Sequence, residues 1–291
     1  MTDGIIVIGA SGRVGRMVAA ALQADEGPAS RIILQNRRND AATNARSLLW
    51  DPMTGADALC DWVAQQGALR AMVVLAGVTS GGGQDLSLNI DIATACVNAA
   101  AAARIPRVLV ASSSAVYGAG DGTPFAETTL CQPVNAYGTA KLAMERACNA
   151  LAAPGFEICC LRIGNVAGAD ALLLNVAKSA PDQAIEIDIF DDGRGPVRSY
   201  IGARTLASVL RSLCLHPDQL PAVVNIGTLE PVSMDALADA AHHRWLKRSP
   251  TGPTPQSITL DCSLLSTLHE FNTLDSRPDE MVRQWKETLN S

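Results

Sequence analysis

Tyr137 and Lys141 stand four residues apart in Tyr137-Gly138-Thr139-Ala140-Lys141, at the head of an Ala- and Leu-rich run over 141–153 that reads as a helix. Positions four apart share one helical face, so the phenol and the ammonium fall on the same side. A phenol is a weak acid, with an unperturbed pKa of about 10. A fixed positive charge beside it favours the phenolate and makes it usable as a proton donor and acceptor. A Tyr and a Lys also meet at this spacing through ordinary helical packing. What the rest of the chain places around them therefore decides whether the pair is chemical.

A second set of residues could carry a cofactor. Ile5-Ile6-Val7-Ile8 is a β-branched apolar run suited to a strand buried on both faces. It leads into Gly9-Ala10-Ser11-Gly12-Arg13-Val14-Gly15 and then a helical run over 16–23. In that context a G-x-x-G-x-x-G loop gives a tight turn, a close approach to a pyrophosphate and close helix–strand packing. Free N–H groups at the helix start attract the anion. Gly9, Ser11, Gly12, Arg13, Val14 and Gly15 are assigned to the cofactor on this basis. At the end of the second strand an acidic residue binds the ribose 2′-hydroxyl of NAD, and a basic one accommodates the 2′-phosphate of NADP. Here Gln35-Asn36-Arg37-Arg38 offers two guanidiniums and no carboxylate. NADP is the expected cofactor, and NAD held through Gln35 or Asn36 is the alternative.

The elements that must position these groups follow in order. A third strand ends near Trp50-Asp51-Pro52, and a helix is expected over 57–66. The run from Ala71 through Ala76 and Gly77 forms a fourth strand and opens a Gly-rich loop over 79–83. Ala76 and Gly77 are assigned to the cofactor and Thr79 to the substrate, because ligands bind at this edge of such sheets. A helix over 89–103 precedes the fifth strand, 107–111, which ends in Ser112-Ser113-Ser114 at the mouth of the crevice. With a sixth strand over 158–163, the alternation predicts an α/β fold, a Rossmann-like doubly wound parallel sheet. Residues 1–165 read as a dinucleotide-binding domain, with a late strand near 222–228 returning to the sheet. Residues 166–291 read as a smaller substrate-binding region.

Composition excludes several classes. A net charge of -6 argues against nucleic acid as a partner, which needs a basic face. No apolar run approaches the ~18 residues of a membrane span. The eight cysteines include no C-x-x-C pair and read as reduced thiols of a cytoplasmic protein. His242 and His243 are adjacent and point apart on a helix, so no metal is expected. Cys131, alone in the loop before Tyr137, reads as packing.

In combination the motifs resemble the extended short-chain dehydrogenases/reductases of the NAD-dependent epimerase/dehydratase type. The matching pieces are Gly9-x-x-Gly12-x-x-Gly15, Ser113-Ser114-Ala115-Val116-Tyr117-Gly118 and Tyr137-x-x-x-Lys141. Leu161-Arg162-Ile163-Gly164-Asn165-Val166-x-Gly168, Asp192-Gly193, Arg198-Ser199-Tyr200-Ile201 and Asn225-Ile226-Gly227 follow in the family's order. The resemblance implies hydride transfer between a substrate carbon and nicotinamide C4, with Tyr137 exchanging the matching proton. It implies that Lys141 lowers the phenol pKa and holds the nicotinamide ribose, and that Ser113 bonds the reacting oxygen, with Ser112 or Ser114 as the alternative register.

The resemblance also implies that Ser114, Asn165 and Arg198 contact substrate, a sugar, sugar nucleotide or related hydroxyl/carbonyl compound. The short substrate region and Gly202-Ala203-Arg204 depart from the nucleotide-sugar branch. Family dehydratases place an Asp-Glu pair straight after the strand-end Ser or Thr. Here Ser114 and Ala115 stand there, and Ala115 has no proton to transfer, so an oxidoreductase or epimerase is expected and dehydration is disfavoured. Pairing through 89–103 and 141–153 would give a homodimer. The reading from another class is an NADP-sensing regulatory protein without chemistry.

Overall fold

The computed structural model describes residues 3–24, 30–37, 47–79, 83–180, 183–252 and 255–289. Strands β1 (Asp3–Ile8), β2 (Ser30–Asn36), β3 (Ser47–Leu49), β4 (Ala71–Val74), β5 (Arg107–Ser113) and β6 (Glu157–Ile163) come first. Between them lie helices α1 (Arg13–Ala24), α2 (Asp57–Gln66), α3 (Leu88–Ala102) and α4 (Ala136–Asn149). The chain continues through β7 (Asn165–Val166), α5 (Ala171–Lys178), β8 (Ile185–Asp188), β9 (Val197–Arg198), β10 (Tyr200–Ile201), α6 (Ala203–Leu215) and β11 (Val223–Ile226). It ends in β12 (Val232–Ser233), α7 (Met234–Ala240), β13 (Trp245–Arg248), β14 (Ser257–Ile258), α8 (Ser263–Leu268) and α9 (Pro278–Leu289).

The main sheet has seven strands in the order β11-β6-β5-β4-β1-β2-β3, every pair parallel. Its two faces are both covered. Ile5 and Val7 of β1 face α1 and α6, and Ile6 and Ile8 face α3 and α4. Burial on both sides is why these strands read as unbroken apolar runs rather than as alternating ones. The strand order turns back between β1 and β4, which opens a crevice at their carboxyl ends.

Both α6 and β11 come from beyond residue 166 and belong to the layers of this sheet. Separate from it, Leu173, Ile187, Tyr200, Leu237, Met281 and Trp285 share a third core. Polar side chains tie the ends of α6 in place. Gly202 has no side chain to cap the helix, and Gln284 of α9 does so in trans, its Oε1 accepting from Arg204 N at 2.9 Å and Thr205 N at 3.1 Å. At the other end, buried Arg107 donates to the carbonyls of Leu213, Cys214, His216 and Asp218 and pairs with Glu157 at 2.9 Å.

One helix sits differently from expectation. α4 starts at Ala136 and stops at Asn149, short of the run over 141–153. Asn135 caps it, its side chain accepting from Gly138 N at 2.8 Å, and Tyr137 thereby falls inside the first turn. All eight cysteines are free, six of them buried. Among the described residues no helix is long and apolar enough to cross a membrane.

Candidate active site

Three chain segments converge at the carboxyl end of β5. Ser113 closes the strand and caps a short 3₁₀ turn, Ser114–Val116, its Oγ accepting from Ala115 N at 3.2 Å. Gly138 lets the start of α4 press against that turn, since a Cβ there would collide with Ala115 O. This close approach sets Tyr137 beside Ser113. Burial raises the phenol pKa above its ordinary value, and the neighbouring Ser113 hydroxyl pulls it back down. Of the three serines, Ser112 is buried and donates to Glu145 Oε1 at 2.5 Å, and Ser114 is half-buried with its carbonyl accepting from Tyr117 N. Ser113 is the one that meets Tyr137.

Lys141 lies one turn further along α4 and is 5% exposed. Its Nζ donates to Ala111 O at 2.8 Å. Burial brings its pKa down to about 8, against the charges of nearby groups that hold it up. The spacing expects this ammonium to lower the phenol pKa. In the structure the ammonium is drawn toward Ala111, and burial together with Ser113 sets the phenol. Gly77 lies directly over the ammonium, because a Cβ at Gly77 would come 3.3 Å from Lys141 Nζ and 2.7 Å from Asn89 Oδ1. Asn89 is buried and clasps the following residue from both sides, accepting from Val78 N at 3.1 Å and donating to Val78 O at 3.0 Å. Sequence reasoning placed Asn89 on a helix and missed this role. An amide at the start of an Ala-rich helix was its only signal.

The glycine loop forms a cradle at the β1–β4 crevice. Gly9 has φ +81°, and a Cβ there would stand 2.5 Å from Ala76 N, so only glycine fits. A Cβ on Gly15 would run into Gly9 O. Ser11, Gly12 and Arg13 are exposed at the head of α1, and Val14 is half-buried. Open backbone at a glycine-rich helix start, with exposed Arg13 beside it, fits the pyrophosphate of a dinucleotide. Ala76 and Gly77 border the same crevice, and exposed Thr79 follows them.

At the end of β2, Gln35 is occupied by the chain itself. Its Oε1 accepts from Gly9 N at 3.1 Å and its Nε2 donates to Trp50 O. With both ends of the amide engaged, Gln35 braces the glycine loop rather than presenting a free group to a ribose. Asn36 is half-buried and Arg37 exposed, and Arg38 lies outside the described residues.

Asn165 and Arg198 reach the same end of the sheet. Ile163 pairs with Ser113 across β5 and β6, and Asn165, two residues on, pairs with Tyr200 across β7 and β10. The Tyr200 hydroxyl donates to Asp170 Oδ2 at 3.2 Å. Arg198 Nη1 donates to Val197 O and Gln256 O, both at 2.7 Å, and no carboxylate pairs with it among the described residues. Burial lowers its pKa. Among the described residues no group of three or more His, Cys, Asp or Glu side chains could hold a metal. A cavity of about 500 Å³ lies at the amino end of β6, bordered by Gly155, Glu157 and Leu220 and by none of the groups above.

Known structures share this architecture. The UDP-glucose 4-epimerase from Brucella ovis in complex with NAD is 20% identical, with 97% of each chain covered and a TM-score of 0.78. The UDP-Glc/GlcNAc 4-epimerase from Campylobacter jejuni is 19% identical, with 99% of each chain covered and a TM-score of 0.76. TunA, an NAD dependent NDP-hexosamine 5,6-dehydratase involved in tunicamycin biosynthesis, is 18% identical, with 99% of this chain and 98% of that one covered and a TM-score of 0.75. At these identities the likeness establishes the fold. No curated protein matches the chain in sequence. The family model for the NAD dependent epimerase/dehydratase family matches residues 5–227, which hold the glycine cradle, Ser113, Tyr137, Lys141 and Arg198, and the chain belongs to that family.

Proposed function

We propose that the protein is a nicotinamide-dependent oxidoreductase or epimerase that uses Tyr137 as its acid/base on a hydroxyl or carbonyl carbon. The observation that carries this is the placement of Tyr137 beside Ser113 at the carboxyl end of β5, with Lys141 buried one turn away beneath Gly77. With the dinucleotide's pyrophosphate in the glycine cradle, its nicotinamide would supply or accept hydride. Tyr137 moves the matching proton to or from the substrate oxygen. Ser113 orients that oxygen and stabilises the ionised phenol. Lys141 contributes positive charge beneath the crevice and a donor for the nicotinamide ribose.

Arg198, half-buried and paired with no carboxylate among the described residues, supports an anionic substrate such as a sugar phosphate or nucleotide sugar, with Asn165 beside it. The neutral Gln35 and exposed Arg37 support NADP over NAD. Ala115 disfavours dehydration, and that argument rests on this residue, since the fold itself also hosts a dehydratase. A homodimer through α3 and α4 accompanies the proposal.

A thermal-shift screen with NAD, NADP and nucleotide sugars tests binding, because a ligand of the folded state raises apparent stability. Absorbance in the reduced-nicotinamide band, with and without substrate, then separates a retained hydride cycle from net reduction. Binding of NADP with no hydride transfer across a broad carbonyl and sugar panel would favour a sensing protein instead. Tighter binding of NAD would overturn the cofactor preference.

A further inference from the structure

A buried ionic group lies just behind the pair and takes no part in the reaction described above. Glu145 sits one helical turn beyond Lys141 on α4 and is 2% exposed. Its Oε1 accepts from Ser112 Oγ at 2.5 Å and Arg162 Nε at 3.1 Å, and its Oε2 accepts from Arg162 Nη2 at 2.8 Å. Ser112 and Arg162 are themselves register partners on β5 and β6. One carboxylate thus pins α4 to both strands at the residue next to Ser113. Arg162 Nη1 extends the network to the Tyr117 hydroxyl at 3.0 Å, and Tyr117 donates to Asn225 Oδ1 at 2.7 Å. Desolvating two charges is costly, and apolar residues of similar volume often serve stability as well. The placement of this pair calls for a different account.

Charge supplies it. The groups facing Lys141 are Met144, Glu145 and Cys148 from α4, Cys160 from β6 and the Ala111 carbonyl from β5, with Arg162 of β6 held against Glu145. From α3 come neutral Asn89, across Gly77, and Cys96, next to Cys148. Against burial, Cys160, Cys148 and Glu145 hold the Lys141 pKa up. The thiols can do so only as thiolates. Burial pushes Cys148 up to about 11 and Cys160 well above its ordinary value, so both are uncharged near neutrality. Of these three groups, Glu145 is the one held in an ion pair, with Arg162 at 2.8 Å.

We propose that Glu145 is a positioning residue for the Tyr137–Lys141 pair, keeping Lys141 in its ammonium form and Ser113 in register beside the phenol. Its effect on turnover rests on the acid/base reading of that pair, and its effect on Lys141 does not. The test is Glu145→Gln, which keeps the size and the acceptor for Ser112 and removes the charge. Lys141 is titrated directly by nitrogen-15 NMR of its side chain, with Lys141→Met identifying the signal.

The transition should move down by about one pH unit, as when an opposite charge one turn away is removed. The alkaline limb of any turnover profile should move with it, whereas a purely structural loss would lower activity equally at every pH. Arg162→Gln, which leaves Glu145 in place, should move the Lys141 transition up, and the double variant should fall below Arg162→Gln alone. That second comparison serves if Glu145→Gln does not fold. A Lys141 transition that stays put in folded variants overturns the proposal. A transition that moves in a protein without hydride transfer upholds the positioning and rejects the enzymatic reading.

Discussion

Lys141→Met should change the pH dependence of stability in one direction and one window. In the folded chain burial brings the Lys141 pKa to about 8, against an ordinary value of 10.5. Between those two values the unfolded chain holds a proton that the folded chain has released. Stability therefore rises with pH across the window, and the contribution is complete above the unfolded pKa. The gap of about 2.5 units corresponds to roughly 3 kcal/mol, of which about 2 kcal/mol should appear between pH 7 and 9.5. Lys141→Met has no such group, so the wild-type stability minus the variant stability should climb by that amount. Urea unfolding of both proteins at pH 7, 8, 8.5, 9 and 9.5 measures it, and taking the difference cancels the buried thiols that titrate in both. The slope is diagnostic rather than the offset, because the offset also contains the lost hydrogen bond to Ala111 O. A flat difference across that range would refute a desolvated Lys141.

Three other outcomes are expected. Arg107→Met strands four carbonyls and Glu157 at the far end of the sheet, and should cost about 3–5 kcal/mol in urea unfolding while leaving cofactor affinity unchanged at a temperature where the variant is folded. Gln284→Ala removes the cap of α6 and should cost about 1–2 kcal/mol, read the same way. Gly15→Ala drives a methyl into Gly9 O, and the overpacking of about 1–3 kcal/mol should weaken dinucleotide binding by calorimetry more than it lowers the melting temperature of the free chain. Unchanged affinity in that variant would argue against the loop as the cradle.

What the sequence makes legible is local. The spacing of Gly9, Gly12 and Gly15 between a strand and a helix encodes a turn whose backbone demands are visible in the residues themselves. Tyr137 and Lys141 share a helix face by arithmetic, and the apolar runs announce strands covered on both sides. Contacts between distant elements are not encoded so directly. Asn89 grips Val78, Gln284 caps a helix some eighty residues earlier, and Arg107 gathers carbonyls from the end of α6. Glu145 left a faint trace, an acid four residues beyond Lys141 in a helix rich in alanine, with Arg162 interrupting an apolar strand. Gln35 shows the limit most clearly. Its position at the end of β2 points to a ribose, and only the structure reveals that its amide is spent on Gly9 and Trp50.

The central claim is that Tyr137, set against Ser113 and backed by Lys141, moves the proton that accompanies hydride transfer. Tyr137→Phe removes one hydroxyl and keeps the ring. With cofactor affinity measured by calorimetry and single-turnover hydride transfer followed in the reduced-nicotinamide band, the account predicts affinity within about twofold of wild type and transfer slowed by roughly 10²–10⁴-fold, the usual contribution of a positioned acid/base. Transfer at the wild-type rate in a folded, cofactor-bound Tyr137→Phe would contradict it.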